Sequence, residues 1–387
     1  MPTTDEAAEE HLSRTALRDF GPPVPAAGQE DIFATHVLRI MPQEAPLPVL
    51  LWHALSLIGI PHQGPWEKVA WWVDFQYKGY ACSLAYQKFG LRLRISGDLT
   101  EERADKVLME IRKKLVSAVR TVENLLSETA GDTLNSGNVT VRNQYRQLRR
   151  AYDYFRHRAV NPDFVEDVNE QGEGDGLVLS WSRHVSGKSV MALNASHDLV
   201  AAISAYVSVL EHCFVLTLPF LDFDPSSDKL TQIIGDRWGD KWRRVIDLSD
   251  EEASRLRERL GEVVERWRNP YSHGGFEKGH GATVYLHMKG LGALPVGMSS
   301  ILDSPLFSFY PVSETDIAEV FELFDEIDAY LVRKLPHAME WIESGLDVRF
   351  DADFISQVFS SLNEYGDLKK LIEIYAYRQD VINNMDY

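Results

Sequence analysis

Cysteine is nearly absent: Cys82 and Cys213 are the only 2 in 387 residues. Two thiols cannot build a disulfide framework or a cysteine-rich zinc module. Both stand among apolar neighbours and read as buried thiols. Net positive charge is lacking too. The chain has 40 Lys and Arg against 58 Asp and Glu, a formal net charge of −18. A protein that coats nucleic acid over its whole surface is therefore excluded, whereas a local basic strip is not. No apolar run is long enough to span a bilayer, since the longest, 47–60, is interrupted by His53. The start, MPTTDEAAEEHLSRT, is polar and acidic where a secretory signal needs a positive beginning and an apolar core. These absences predict a cytoplasmic protein with no membrane partner. There is no internal repeat and no low-complexity tract.

What is present is the mix of a globular protein, with 44% hydrophobic and 25% charged residues. That is enough apolar material for a large core, and the length allows about two or three domains. Residues 1–30, rich in Ala, Glu, Pro and Gly, read as a flexible arm. Aromatic and β-branched residues from Val69 to Tyr77, the Lys78-Gly79 pair and the alternation of Leu91, Leu93 and Ile95 with Arg92 and Arg94 predict β-strands. The two arginines belong on the wet face. A long helix follows, with Asp98 and Glu101 at capping-box spacing, and breaks at 131–138. A second helix, 139–160, stops near Asn161-Pro162. The acidic, glycine-rich 170–176 reads as a linker and a domain boundary.

Beyond it the chain is mostly helical: 196–218, 230–245, a helix capped by Ser249 and Glu252, and 313–345 kinked at Pro336. A hairpin is expected over 177–193, a strand pair over 274–308, and two helices at the C-terminus. The expected fold class is mainly α with an α+β N-terminal domain. The expected units are an arm (1–30), an α+β domain (31–170), a helical domain (177–345) and a helical extension (346–387).

One segment carries chemistry: Arg266-Trp-Arg-Asn-Pro-Tyr-Ser-His-Gly-Gly, at the end of an amphipathic helix. Asn269-Pro270 should end or kink that helix. Four residues separate Arg268 from His273. The segment resembles the RxxxxH motif of HEPN domains, in which Arg-Asn commonly opens the motif and His-Gly often closes it. The apolar helix upstream and the helix after the motif are also similar. The resemblance covers roughly 190–345 and departs from the family in the long glycine-bearing insertion after the motif. It implies a C-terminal HEPN-like helical bundle and a metal-independent endoribonuclease, often a toxin or antiviral defence effector, working as a homodimer that brings two motifs together.

The chemistry stands on its own terms. RNA is cleaved when its 2′-oxygen attacks the adjacent phosphate, a reaction needing proton transfer and a cation on the phosphorane. Histidine titrates near neutrality, and arginine forks onto phosphate oxygens. Arg268 would stabilise the phosphate, His273 would act as general acid or base, and Asn269 would orient the histidine or hold the turn. Arg266 is the reserve arginine. No metal and no cofactor is expected. The competing reading makes Arg268 and His273 simple cations at a helix C-terminus, where they complement the exposed carbonyls.

Glu211, in an otherwise apolar helix, is a candidate to orient Arg268 or His273, although it could equally face solvent. Arg142, Arg146, Arg149 and Arg150 fall on one side of a helix, with aromatics interleaved, and are candidates for RNA binding. The alternative is an arginine face paired with acidic neighbours. Ser186-Gly187-Lys188-Ser189 echoes a phosphate-binding loop but lacks the earlier glycine, since position 182 is Ser182. His273, His280 and His287 recur every seven residues and read as loop histidines. The expected partners are RNA, a second copy of the chain, and an inhibitory or sensor protein. The rival function is a non-catalytic scaffold that binds a partner protein or nucleotide.

Overall fold

The computed structural model describes residues 4–23, 35–174, 180–272, 276–277, 280–298, 314–363 and 367–385. The protein is mainly α with antiparallel β. It divides into two compact units, Met1–Leu134 with Glu373–Tyr387, and Asn135–Ile372. The sequence reading places a boundary at 170–176. The division falls at the end of the long helix instead, because the next helix packs against the apolar helix of the second unit. The expected separate extension, 346–387, is shared between the two units.

The first unit contains α1 (Thr4–Arg14), β1 (Phe20–Gly21), β2 (Thr35–Ile40), α2 (Val49–Leu57), β3 (Val69–Tyr77), β4 (Tyr80–Gln87), β5 (Gly90–Ser96) and α3 (Glu101–Asn135). Its strands form one antiparallel sheet in the order β1-β3-β4-β5-β2. Alternation decides which side packs. Val73, Phe75, Tyr77, Leu84, Leu93 and Ile95 turn to one face and are buried beneath α2 and α3. Leu12 and Leu17 join that core, so the described part of the expected N-terminal arm is folded rather than flexible. The turn between β3 and β4 needs positive φ at both Lys78 (49°) and Gly79 (85°), the twist-matched geometry of a tight hairpin. The helix α3 starts at Glu101, not at an Asp98 cap, and runs through Gly131 to Asn135.

The second unit contains β6 (Thr140–Val141), α4 (Tyr145–Val160), β7 (Val168–Glu173), β8 (Ser180–Val185), α5 (Gly187–Thr217), α6 (Leu230–Gly235), α7 (Trp238–Val245), α8 (Glu251–Val263), α9 (Asn269–Ser272), β9 (Phe276–Glu277), β10 (His280–Met288), β11 (Gly292–Met298), α10 (Glu314–Lys334), α11 (Pro336–Ser344), β12 (Val348–Arg349) and α12 (Ala352–Asn363). A final helix, α13 (Asp367–Asn384), begins in this unit and ends in the first. The axis of the unit is α5, apolar on most sides, with Leu199, Ile203, Tyr206, Leu210 and Phe214 buried. Around it pack α4, α7 and α11, while α10 packs on α4 and α8. Tyr206 stacks on Phe324 at 3.9 Å, and Phe214 meets Trp242 edge-on at 5.6 Å.

Against the expectation that no apolar run is long enough to span a bilayer, among the described residues one helical stretch, Gly187–Phe220, has the length and composition to cross a membrane, and most of its apolar window is buried inside the unit. Part of the expected linker at 170–176 is strand β7, paired with β8. His280 and His287, expected in loops, lie on β10, which pairs with β11. Pro336 opens α11 as its first residue, where a missing N–H costs nothing.

Candidate functional site

The segment singled out by sequence lies where α8 runs into α9. Asp250 starts α8, its carboxylate accepting from the N–H groups of Glu252 and Ala253 at 3.0 and 3.4 Å. Ser249, the expected cap, bonds Asp247 instead. Ala253, Leu256, Leu260, Val264 and Trp267 form the buried stripe that seats the helix.

The helix does not end before Pro270. It widens into a π-helical turn over Val264–Arg268, in which the Asn269 N–H donates to the Val264 carbonyl, five residues back. A proline at 270 has no N–H for an ordinary helical bond, and the wider turn shifts the bonding register past it. The segment therefore continues as α9, with Pro270 buried and Tyr271 67% exposed. Such π turns occur often at functional sites because they re-aim side chains on a helix.

Arg266 is anchored there. Its guanidinium lies over the Trp267 ring at 4.4 Å and 3.2 Å from Asp316, a carboxylate 14% exposed near the start of α10. Arg268 and Asn269 are half-buried. His273 lies outside the described residues, so its placement relative to Arg268 is not part of this geometry. Packing brings one further group to this end of the motif: exposed His197 of α5, its ring 6.3 Å from that of Tyr271. A lone histidine on an apolar helix carries no local signal of such a neighbour, and sequence reasoning passed over it.

Glu211 has a different partner from the one expected. It accepts from Lys241 Nζ at 2.8 Å, and Lys241 is only 5% exposed. The carboxylate is there to neutralise a buried ammonium of α7.

The arginines of α4 are also largely taken up inside the unit. Arg149 pairs with Asp328 of α10, whose other oxygen lies 2.9 Å from the Tyr206 hydroxyl. Burial pushes the Asp328 carboxyl above its ordinary value against the pull of Arg149, and burial also raises Tyr206. Arg156 forks onto both oxygens of Asp325 at 2.6 and 2.7 Å. Arg146 donates to the carbonyls of Glu343 and Ser344, both at 2.9 Å, and so closes the end of α11. Arg146 and Arg149 are thus structural donors rather than an open RNA grip. Arg142 and Arg150 are exposed, and among the described residues neither has an ion-pair partner. The expected strip is therefore split by the packing of α4 against the acidic side of α10.

Among the described residues, no three His, Cys, Asp or Glu side chains gather as metal ligands. Comparison with family models, with curated proteins and with solved structures finds no match.

Proposed function

We propose that the second unit is a HEPN-like bundle carrying a metal-independent endoribonuclease site at Arg268, Asn269 and His273. The observation that supports this reading is the π turn over Val264–Arg268. It directly follows α8 and falls on the stretch that carries Arg266 and Arg268, whose end is fastened to α10 through Arg266 and Asp316.

In this mechanism the RNA 2′-oxygen attacks the neighbouring phosphorus, and the bond to the 5′-oxygen breaks. The 2′-proton leaves to a base, and a proton is delivered to the departing 5′-oxygen, so the products are a 2′,3′-cyclic phosphate and a 5′-hydroxyl. Arg268 neutralises the charge gathering on the non-bridging oxygens. His273 transfers one of the protons, and Asn269 orients it. The second proton-transfer group comes from a second copy of the motif in a homodimer, or from His197 of the same chain. The first unit then recruits, senses or restrains, as in a toxin or defence effector.

The test is cleavage of single-stranded RNA by the full chain in EDTA, with the termini identified. Arg268→Ala and His273→Ala should each lower the rate by about 100-fold or more, with folding unchanged. Cleavage that survives both substitutions would end the proposal.

A second reading, a non-catalytic scaffold, is favoured by the internal pairing of Arg146, Arg149 and Arg156. It predicts no cleavage by the unaltered protein and unchanged partner binding in both variants.

A further inference from the structure

The five-stranded sheet of the first unit has a second face. Its core face is covered, while the other carries a different set of side chains. Register places them in rows. Trp72 on β3 stands opposite Ala85 on β4, then Arg92 on β5 and Arg39 on β2. The adjacent row runs Asp74, Ser83, Arg94, Val37. Directly paired residues share a face, and neighbouring strands lie about 4.8 Å apart. Each row therefore changes from an aromatic or acidic residue on β3 to an arginine on β5, over a floor of small side chains on β4.

Segment 63–66 runs along the edge of β3, through bridges from Gln63 to Trp72 and from Trp66 to Val69. It brings Trp66, 70% exposed, to the groove. An open groove of about 500 Å³ is lined there by Trp66, Trp72, Asp74, Ser83, Ala85 and Arg94, with Val69 and Gln87 completing its wall.

Among the described residues, none of Arg39, Arg92 and Arg94 has an ion-pair partner, in a chain whose formal net charge is −18. This contrasts with α4, where acidic residues of α10 take up Arg149 and Arg156. Arg149, Arg156 and Arg158 of α4 each meet a carboxylate, and the three arginines on the sheet face do not. Flat indoles beside a ladder of unpaired guanidinium groups suit a ligand that alternates π-faces with phosphates.

We infer that this open sheet face binds a single-stranded RNA segment, with bases stacked on Trp72 and Trp66 and the backbone phosphates on Arg94, Arg92 and Arg39. Asp74 sits at the aromatic end, where its carboxylate accepts N–H groups of a base edge and keeps phosphates toward the arginines. Burial holds that carboxyl above its ordinary value, and Gln63 lies 3.4 Å from it. The preference for RNA over DNA rests on the ribonuclease reading. The binding itself does not depend on cleavage.

The experiment is fluorescence anisotropy of the full chain with a labelled 2′-O-methyl oligonucleotide, whose blocked 2′-oxygens make it resistant to attack. The unaltered protein should bind it. Arg92→Glu with Arg94→Glu should weaken binding at least tenfold and reduce the slope of log affinity against log salt by about 1.4, the loss of two phosphate contacts on a single strand. Trp66→Ala, at a position 70% exposed, should weaken binding about fivefold or more with the unfolding midpoint unchanged. The face is not an RNA site if the oligonucleotide fails to bind. It is equally overturned if Trp66→Ala binds unchanged, if a mononucleotide binds as tightly, or if the matching DNA binds better. Loss of cleavage with binding intact would remove the nuclease proposal alone.

Discussion

Gly187 has no room for a side chain. A Cβ built there would collide with the Val165 carbonyl oxygen and lie 2.7 Å from the carbonyl carbon. The Gly187 N–H donates to Asp167 at 2.7 Å, so the stretch before β7 is stitched onto the first turn of α5. In sequence this glycine sits in a fragment resembling a phosphate loop, whereas its role is close backbone approach. Gly187→Ala should lower stability by about 3 kcal/mol, measured by urea unfolding, because backbone and not a flexible side chain must yield. An unchanged midpoint would show that 165–167 moves freely. Glu211 teaches the same lesson. Its carboxylate in an apolar helix signals a need for a partner, but the partner, Lys241, lies on another helix.

At the scale of elements, α8 is held at both ends by charge. Asp250 accepts from two backbone N–H groups and also meets Lys334 at 2.7 Å and the Tyr330 hydroxyl at 3.1 Å. The Lys334 contact first, then these N–H and hydroxyl donors, push its carboxyl down from 3.8 to about 2. A folded value below the unfolded one means that the contribution is complete above the unfolded value and is lost as pH falls through the folded value. Asp250→Asn keeps a capping oxygen and removes the charge. The stability gap between wild type and Asp250→Asn should therefore shrink as pH drops from about 4 toward 2. A gap that stays constant across chemical unfolding curves in that window would mean that the charge is not what holds the cap. Helix periodicity made α8 legible. The π turn was not, because Asn269-Pro270 reads as a stop and only the seating of Trp267 and Pro270 in the core keeps the helix going.

At the scale of the molecule, the described residues form two cores. That of the first unit is built from the inner sheet face with α1, α2 and α3, and that of the second is centred on α5. Separate cores unfold as separate cooperative units. Calorimetry should show a summed enthalpy larger than that implied by the sharpness of a single transition. Arg149→Ala strips Asp328 of its guanidinium and should cost about 2–4 kcal/mol, moving only the transition of the second unit. One two-state transition that shifts as a whole would mean that the units unfold together.

Strand alternation from Val69 to Ser96, the glycine at the β3–β4 turn, the helical stripe of α8 and the break before Pro336 are all dictated by neighbours a few residues apart. The sequence alone therefore determined them, along with a mainly α fold joined to an α+β region. Tertiary structure decided where the charges point. Arg149 and Asp328 are 179 positions apart, and the carboxylates of α10 are what take up Arg149 and Arg156. The same period of two that buried Leu91, Leu93 and Ile95 put Arg92 and Arg94 on the opposite face. Whether a carboxylate would meet them there depended on packing far along the chain, which no local pattern encodes.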